Sequence, residues 1–194
     1  MGGKLSLTDS GYQIVMLGLD NAGKSTTLYR MKMDQYVQAA PTIGFNCEKF
    51  KPSVGKAKGC QFTVWDVGGQ EKLRPLWRSY VRHTDAIIFV VDSTDLDRFE
   101  EAKLELSNLL RCPDLPPCAP VLLLANKQDL PSAHPEEDVR KRLGVHELGP
   151  NHLTETHPCC AVTGEGLDGL FDSLQDLINS SRKLDKGRKK SANR

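Results

Sequence analysis

Long apolar runs are missing from this chain: the longest, Ala86–Val91 and Val121–Ala125, are strand-sized, well short of the roughly 20 residues needed to cross a bilayer. The six cysteines (Cys47, Cys60, Cys112, Cys118, Cys159 and Cys160) contain no C-x-x-C pair, and the N-terminus does not read as a secretory signal. A disulfide framework is therefore not expected, and reduced thiols in a cytoplasmic protein are. The adjacent Cys159-Cys160, with His152 and His157 nearby, match no structural zinc spacing. Internal repeats are absent. An excess of one charge is absent too, since 26 Lys and Arg face 25 Asp and Glu for a net +1.

That near-neutrality hides an uneven distribution. Residues 182–194 hold seven basic side chains against the single acid Asp185, a local charge of +6, so the preceding residues sum to −5. No aromatic interleaves with those basic residues, which argues against nucleic acid as their partner.

At 194 residues, with 39% hydrophobic and 26% charged, one globular domain is the default. Tyr12–Leu17 reads as a buried strand and Ser25–Met33 as a helix. Further strand-like runs are Thr63–Val67, Ala86–Val91, Val121–Ala125 and Pro158–Ala161; helix-like stretches are Leu96–Arg111, Pro135–Leu143 and Leu167–Ser180. Continuous apolar strands alternating with amphipathic helices predict a doubly wound α/β domain, with a mostly parallel six-stranded sheet and about five helices. Asn46–Phe50 and Cys60–Trp65 alternate instead and are joined through Gly55 and Gly59, predicting a hairpin that supplies one antiparallel edge strand. The expected division is an N-terminal arm at 1–10, a domain at 11–181 and a basic tail at 182–194, the two arms flexible.

Four strand-ending motifs carry chemistry. Gly18-Leu19-Asp20-Asn21-Ala22-Gly23-Lys24-Ser25 fits G-x-x-x-x-G-K-[ST] between a strand and a helix, where curled backbone N–H groups and a helix N-terminus cradle phosphates. Lys24 would reach the β- and γ-phosphates and Ser25 would ligate Mg²⁺. Asp66 ends a strand, so its carboxylate is expected to hold Mg²⁺ through water; Gly69 can bring its N–H against a γ-phosphate, and Gln70 can orient an attacking water. In Asn126-Lys127-Gln128-Asp129, the Asp129 carboxylate can accept from guanine N1–H and its 2-amino group, a donor pair adenine lacks. Lys127 can lay its methylenes along the purine. Cys160-Ala161 is expected to close the last strand, with the Ala161 N–H toward guanine O6. The nucleotide-binding set is thus Gly18, Asp20, Asn21, Ala22, Gly23, Lys24, Ser25, Thr26, Gly69, Asn126, Lys127, Asp129, Cys160 and Ala161, with Gln70 catalytic.

The strings GLDNAGKS, PTIGFN, WDVGGQEKLRPLW, ANKQDLP and CCAVTGEGL together resemble the Ras-superfamily GTPases and, within them, the ADP-ribosylation-factor family. An interswitch loop lengthened by Lys56–Gly59, the string KLRPLWRSY and the basic tail are most similar to its ADP-ribosylation-factor-like protein 4 branch. The resemblance implies a GDP/GTP switch with slow hydrolysis, cofactors GTP or GDP and Mg²⁺, and Thr42 as a switch I threonine that joins the nucleotide and the metal. It implies Phe45, Trp65 and Tyr80 as an effector patch, plain core packing being the competing reading of these rings. It also implies an exchange factor (cytohesin-type among them), an activating protein and effectors as partners of a monomer. The chain departs from the family at its N-terminus: about ten residues precede the first strand, with little apolar content beyond Leu5 and Leu7, so a long amphipathic N-terminal helix is not expected.

Met1-Gly2-Gly3-Lys4-Leu5-Ser6 fits M-G-x-x-x-[ST], making Gly2 a myristoylation candidate. One acyl chain binds marginally, so the basic tail would supply the second anchor to an anionic membrane surface. Nuclear import through Gly187–Lys190 competes with that reading. No arginine is evident at the P-loop or switch I to assist hydrolysis in cis. A P-loop kinase or ATPase, and a GTP-bound scaffold that does not hydrolyse, remain rival functions.

Overall fold

The computed structural model describes residues 11–147 and 152–192. Six strands form one sheet in the order β2-β3-β1-β4-β5-β6. They are β1 (Tyr12–Leu17), β2 (Phe45–Phe50), β3 (Phe62–Val67), β4 (Ala86–Asp92), β5 (Val121–Asn126) and β6 (Thr154–Pro158). Only β2 runs antiparallel, pairing Phe45 with Val67 through Phe50 with Phe62; the other pairs are parallel. This is the expected mixed sheet. The helices are α1 (Lys24–Met33), α2 (Trp77–Val81), α3 (Phe99–Leu110), α4 (Glu136–Arg142) and α5 (Leu170–Ala192).

Alternation along the strands divides the core in two. In β4, buried along its whole length, Ile87, Phe89 and Val91 face Trp77 and Val81 of α2, Phe99 and Leu106 of α3 and Val139 of α4. Ala86, Ile88 and Val90 face the opposite way, toward Leu28 of α1 and Leu170, Leu174 and Ile178 of α5. Each such Leu, Ile or Phe contributes about 1.5–3 kcal/mol by leaving water. Both faces are covered, which is why β4 and β5 read as unbroken apolar runs.

Three expectations need correction. The last strand is Thr154–Pro158, not Pro158–Ala161. It is a sheet edge with one neighbour, so polar Thr, Glu and His occupy it, while the apolar Cys159 and Cys160 are buried in the loop beyond. Glu71–Leu76 forms a 3-10 turn leading into α2, a segment without an expected element, because Pro75 interrupts the run although Leu73, Leu76 and Trp77 keep helical spacing. Finally, α5 does not stop at Ser180. It continues through the basic run, where Arg182 pairs with Asp85 at 2.8 Å and lies over the Tyr12 ring, and Lys189 pairs with Asp185 at 2.6 Å. The N-terminal arm, including Gly2, and Arg194 lie outside the described residues.

Because β1, β3, β4, β5 and β6 are parallel, the loops after them gather at one edge of the sheet. That crevice, at the carboxyl ends of the strands, is where open α/β sheets bind ligands.

Candidate functional site

A cavity of about 480 Å³ opens at this edge. The loop from β1 to α1 and the first turn of α1 form its floor, contributing Asp20, Asn21 and Gly23 from the loop and Lys24, Ser25 and Thr26 from the helix. Gly23 sits at φ 94, and a Cβ there would run into the Asn126 side chain, so glycine is what allows the loop to close under the helix. Lys24 is buried and its ammonium donates to Gly18 O at 2.9 Å and Leu19 O at 2.8 Å. Burial draws its pKa down to about 8, against the opposing pull of Asp66 and Asp20. Gly18 and Ala22, expected in the binding set, stand behind the wall: Gly18 presents its carbonyl to Lys24, and Ala22 O accepts from Asn126 Nδ2 at 2.8 Å.

One side of the floor is an oxygen cluster. Ser25 Oγ lies 2.7 Å from Thr42 Oγ1 and donates to Asp66 Oδ2 at 2.5 Å, and Asn46 Nδ2 donates to the same carboxylate oxygen at 3.2 Å. Asp66 is fully buried and its Oδ1 has no partner among the described residues. A buried carboxylate oxygen left unpaired costs free energy unless something cationic or hydrogen-bonding meets it. Two hydroxyls and a carboxylate are the hard oxygen donors that suit Mg²⁺. Gly69 and Gln70 border the cavity on this side.

The opposite end is built from β5 and the loop after β6. Asn126 is a brace: besides Ala22, its Oδ1 accepts the Ala161 N–H at 2.9 Å. The Ala161 donor, expected to face guanine O6, is therefore engaged within the protein, although Ala161 and Cys160 do line the cavity. Asp129 also lines it, and its Oδ1 accepts from the Cys160 thiol at 3.2 Å. Neighbouring Cys159 is buried away from it, and burial pushes its thiol up to about 12, leaving it an inert core residue. Lys127 adopts φ 67 and pairs with Asp92 at 2.6 Å. No cluster with metal-ligand spacing forms around Cys159, Cys160, His152 and His157 among the described residues.

With the β1–α1 loop, the oxygen cluster around Asp66 and the Asp129 end all on one cavity, the comparisons with known proteins agree on its origin. Residues 1–178 match the family model described as "Arf: ADP-ribosylation factor family". The chain belongs to the ADP-ribosylation factor family. It is 51% identical to human ADP-ribosylation factor-like protein 4C over 97% of this chain and 99% of that one. Against human ADP-ribosylation factor-like proteins 4D and 4A the identities are 50% and 47%, over 91% and 92% of this chain and 88% and 89% of theirs. The structure of the Arl6 BBS3 small GTPase from Trypanosoma brucei with bound GppNp superimposes with a TM-score of 0.77 at 33% identity, covering 89% of this chain and 99% of that one. The protein is thus a small GTPase with the fold of that family, of the kind that works with exchange factors, activating proteins and effectors.

Several residues of this family site escaped the sequence reading. Tyr36, Ala39, Ala40, Pro41, Leu130 and Val162 also line the cavity. Asp92 holds Lys127, and Gln128 Nε2 ties Ser93 Oγ and His134 O at 2.9 and 3.0 Å. Arginines do approach the P-loop: Arg98 Nη1 lies 3.1 Å and Arg74 Nη2 3.6 Å from Asp20 Oδ1. Neither lines the cavity, and both come from segments distant in sequence, so no local motif marks them. Phe45, Trp65 and Tyr80 do meet, with ring centroids 5.4 to 6.4 Å apart; Phe45 is half exposed, and Trp65 and Tyr80 pack against the core beneath.

Proposed function

We propose that the protein cycles between GDP- and GTP-bound states in this cavity with Mg²⁺ as cofactor. The observation that carries the reading is the convergence of Ser25, Thr42 and the half-unpaired Asp66 beside Lys24, with Asp129 at the far end of the same cavity. In this reading the P-loop backbone and Lys24 hold the phosphates, Ser25 and Thr42 hold the metal directly and Asp66 through water, and Asp129 reads guanine. Lys24 must exchange its carbonyl partners for phosphate oxygens, a change favoured by the stronger, charge-assisted bond. When bound, Mg²⁺ would neutralise charge on the phosphate oxygens. The Gln70 amide would hold a water in line with the terminal phosphorus, so that the water oxygen bonds to phosphorus as the bond to the leaving GDP breaks, the water's proton passing to a phosphate oxygen.

Hydrolysis by the protein alone should be slow. The guanidinium groups of Arg74 and Arg98 are engaged by Asp20, Asp95, Glu101 and Glu105, and an arginine delivered in trans is worth about 10³–10⁵ in rate. An activating protein is the natural supplier. The switch would recruit effectors through Phe45, Trp65 and Tyr80 at a membrane reached by an acylated Gly2 and the basic end of α5, in trafficking, signalling or cytoskeletal control; cytohesin-type exchange factors fit the same family reading. The test of the site is metal removal. Chelation of Mg²⁺ should accelerate release of a fluorescent GDP from the wild type by tenfold or more, and Asp66→Ala should release it fast with or without metal. Release indifferent to magnesium would sink the metal assignment.

A further inference from the structure

The turn Gly68-Gly69-Gln70, between β3 and α2, is held from behind by two side chains the function has not used. Trp77 Nε1–H donates to Gly68 O at 2.9 Å, and Arg74 Nε–H donates to Gly69 O at 2.9 Å. The peptides are trans, and in a trans peptide the N–H points opposite to the C=O of the same unit. Fixing Gly68 O therefore fixes the direction of the Gly69 N–H, and fixing Gly69 O fixes that of Gln70. Both N–H groups are turned away from Trp77 and Arg74. Gly69 and Gln70 border the cavity, whereas the two anchors do not, and neither N–H has an acceptor among the described residues. A Cβ on Gly69 would collide with the Gly18 and Leu19 backbone and with Lys24 Nζ, so the turn lies directly on the Lys24 ammonium.

The anchors are themselves immobilised. Trp77 is 3% exposed and meets Phe89 edge-on at 6.4 Å. Arg74 is 8% exposed, with Nη1 on Glu101 at 2.7 Å and Glu105 at 3.2 Å and Nη2 facing Asp20. Without them the two peptide units could rotate, and their orientation would have to be gained at the moment of binding. Preorganised donors avoid that reorganisation, which is the source of their strength.

We propose that Arg74 and Trp77 are positioning residues that aim the Gly69 and Gln70 N–H groups at the terminal phosphate of a nucleoside triphosphate, and thereby set the preference of the site for triphosphate over diphosphate. The inference rests on the guanine-nucleotide reading above. In that reading the turn meets the terminal phosphate that only a triphosphate carries, so loss of an anchor would weaken triphosphate binding selectively.

Two conservative variants test it. Trp77→Phe keeps an aromatic ring in the core and removes only the N–H donor; Arg74→Lys keeps a cation among the acids and removes the guanidinium Nε–H. Dissociation constants for GppNp and for GDP are measured in Mg²⁺ by displacement of a fluorescent GDP, with thermal melting as the check on folding. Each variant should lose about tenfold in GppNp affinity, the worth of one charge-assisted hydrogen bond, while GDP affinity stays within about twofold. An unchanged GppNp-to-GDP ratio in folded variants, or equal weakening of both, would overturn the proposal and leave the anchors a purely structural role. Should Trp77→Phe fail to melt cooperatively, Arg74→Lys decides alone. A wild type that binds neither nucleotide is a separate outcome, and it would remove the underlying reading itself.

Discussion

Gln70 stands at the cavity wall with its amide uncharged, next to a glycine turn pressed onto Lys24. Gln70→Leu removes donor and acceptor while keeping the side chain's bulk. Single-turnover hydrolysis of bound GTP should fall at least tenfold, equivalent to about 1.4 kcal/mol in the barrier, with the GDP dissociation constant unchanged. Equal hydrolysis rates in the two proteins would mean that Gln70 does not orient the water. Residues of this kind were legible in sequence because their chemistry is local: the P-loop and Asp129 follow β1 and β5 within a few residues, and Asp66 sits at the carboxyl end of β3. Their supports were not. Arg74, Arg98 and Asp92 act through partners 27, 78 and 35 positions away, and nothing in the neighbourhood of each residue signals that pairing. The Ala161 N–H is likewise tied at long range, to the side chain of Asn126 on β5.

The elements show where periodicity speaks and where it is silent. Strands buried on both faces were read almost to the residue, as were the hairpin and α1, because burial forces a continuous apolar run. The edge strand β6 and the helical extension of α5 were not, since both are polar segments whose structure depends on contacts made elsewhere. The long loop between β2 and β3 is a third case. Its buried Ala57 donates N–H to Asp172 Oδ1 at 2.8 Å, and its Lys56 pairs with Asp176 at 2.6 Å, both acids one turn apart on α5. These contacts differ in weight. Asp172→Ala leaves a buried N–H unsatisfied and should cost about 1–3 kcal/mol in urea unfolding. Asp176→Ala breaks an ion pair exposed to solvent, which screens it, and should cost less than Asp172→Ala. A larger loss from Asp176→Ala than from Asp172→Ala would show that the ion pair, not the buried amide, docks the loop.

At the scale of the whole molecule, charge is segregated: −5 over the domain and +6 from residue 182 onward. No helix among the described residues is long and apolar enough to cross a membrane. The helical end of α5 puts Lys183, Lys186 and Lys190 on one exposed face, three and four residues apart, while Arg182 and Lys189 are held in ion pairs. Basic residues near an anionic leaflet are worth about 1 kcal/mol each, screened over a Debye length of about 8 Å at physiological salt. Replacing those three lysines by glutamine should release much of the acylated protein from phosphatidylserine vesicles in co-sedimentation, and added salt should do the same. Gly2→Ala should release it by a route that salt does not mimic. Binding indifferent to salt and to the lysines would make nuclear import the better reading of the basic run.

The central claim, that this cavity selects guanine nucleotides through Asp129, is tested most directly by changing the base and the carboxylate together. Asp129→Asn replaces an acceptor by an amide that also donates, which suits a base carrying a carbonyl where guanine carries an amine. Dissociation constants for GDP, ADP and xanthosine diphosphate are measured for both proteins by displacement of a fluorescent nucleotide. The account predicts that the wild type prefers GDP to the other two by a wide margin, and that Asp129→Asn loses GDP on the order of a hundredfold while gaining xanthosine diphosphate. Undiminished GDP binding by Asp129→Asn would contradict it.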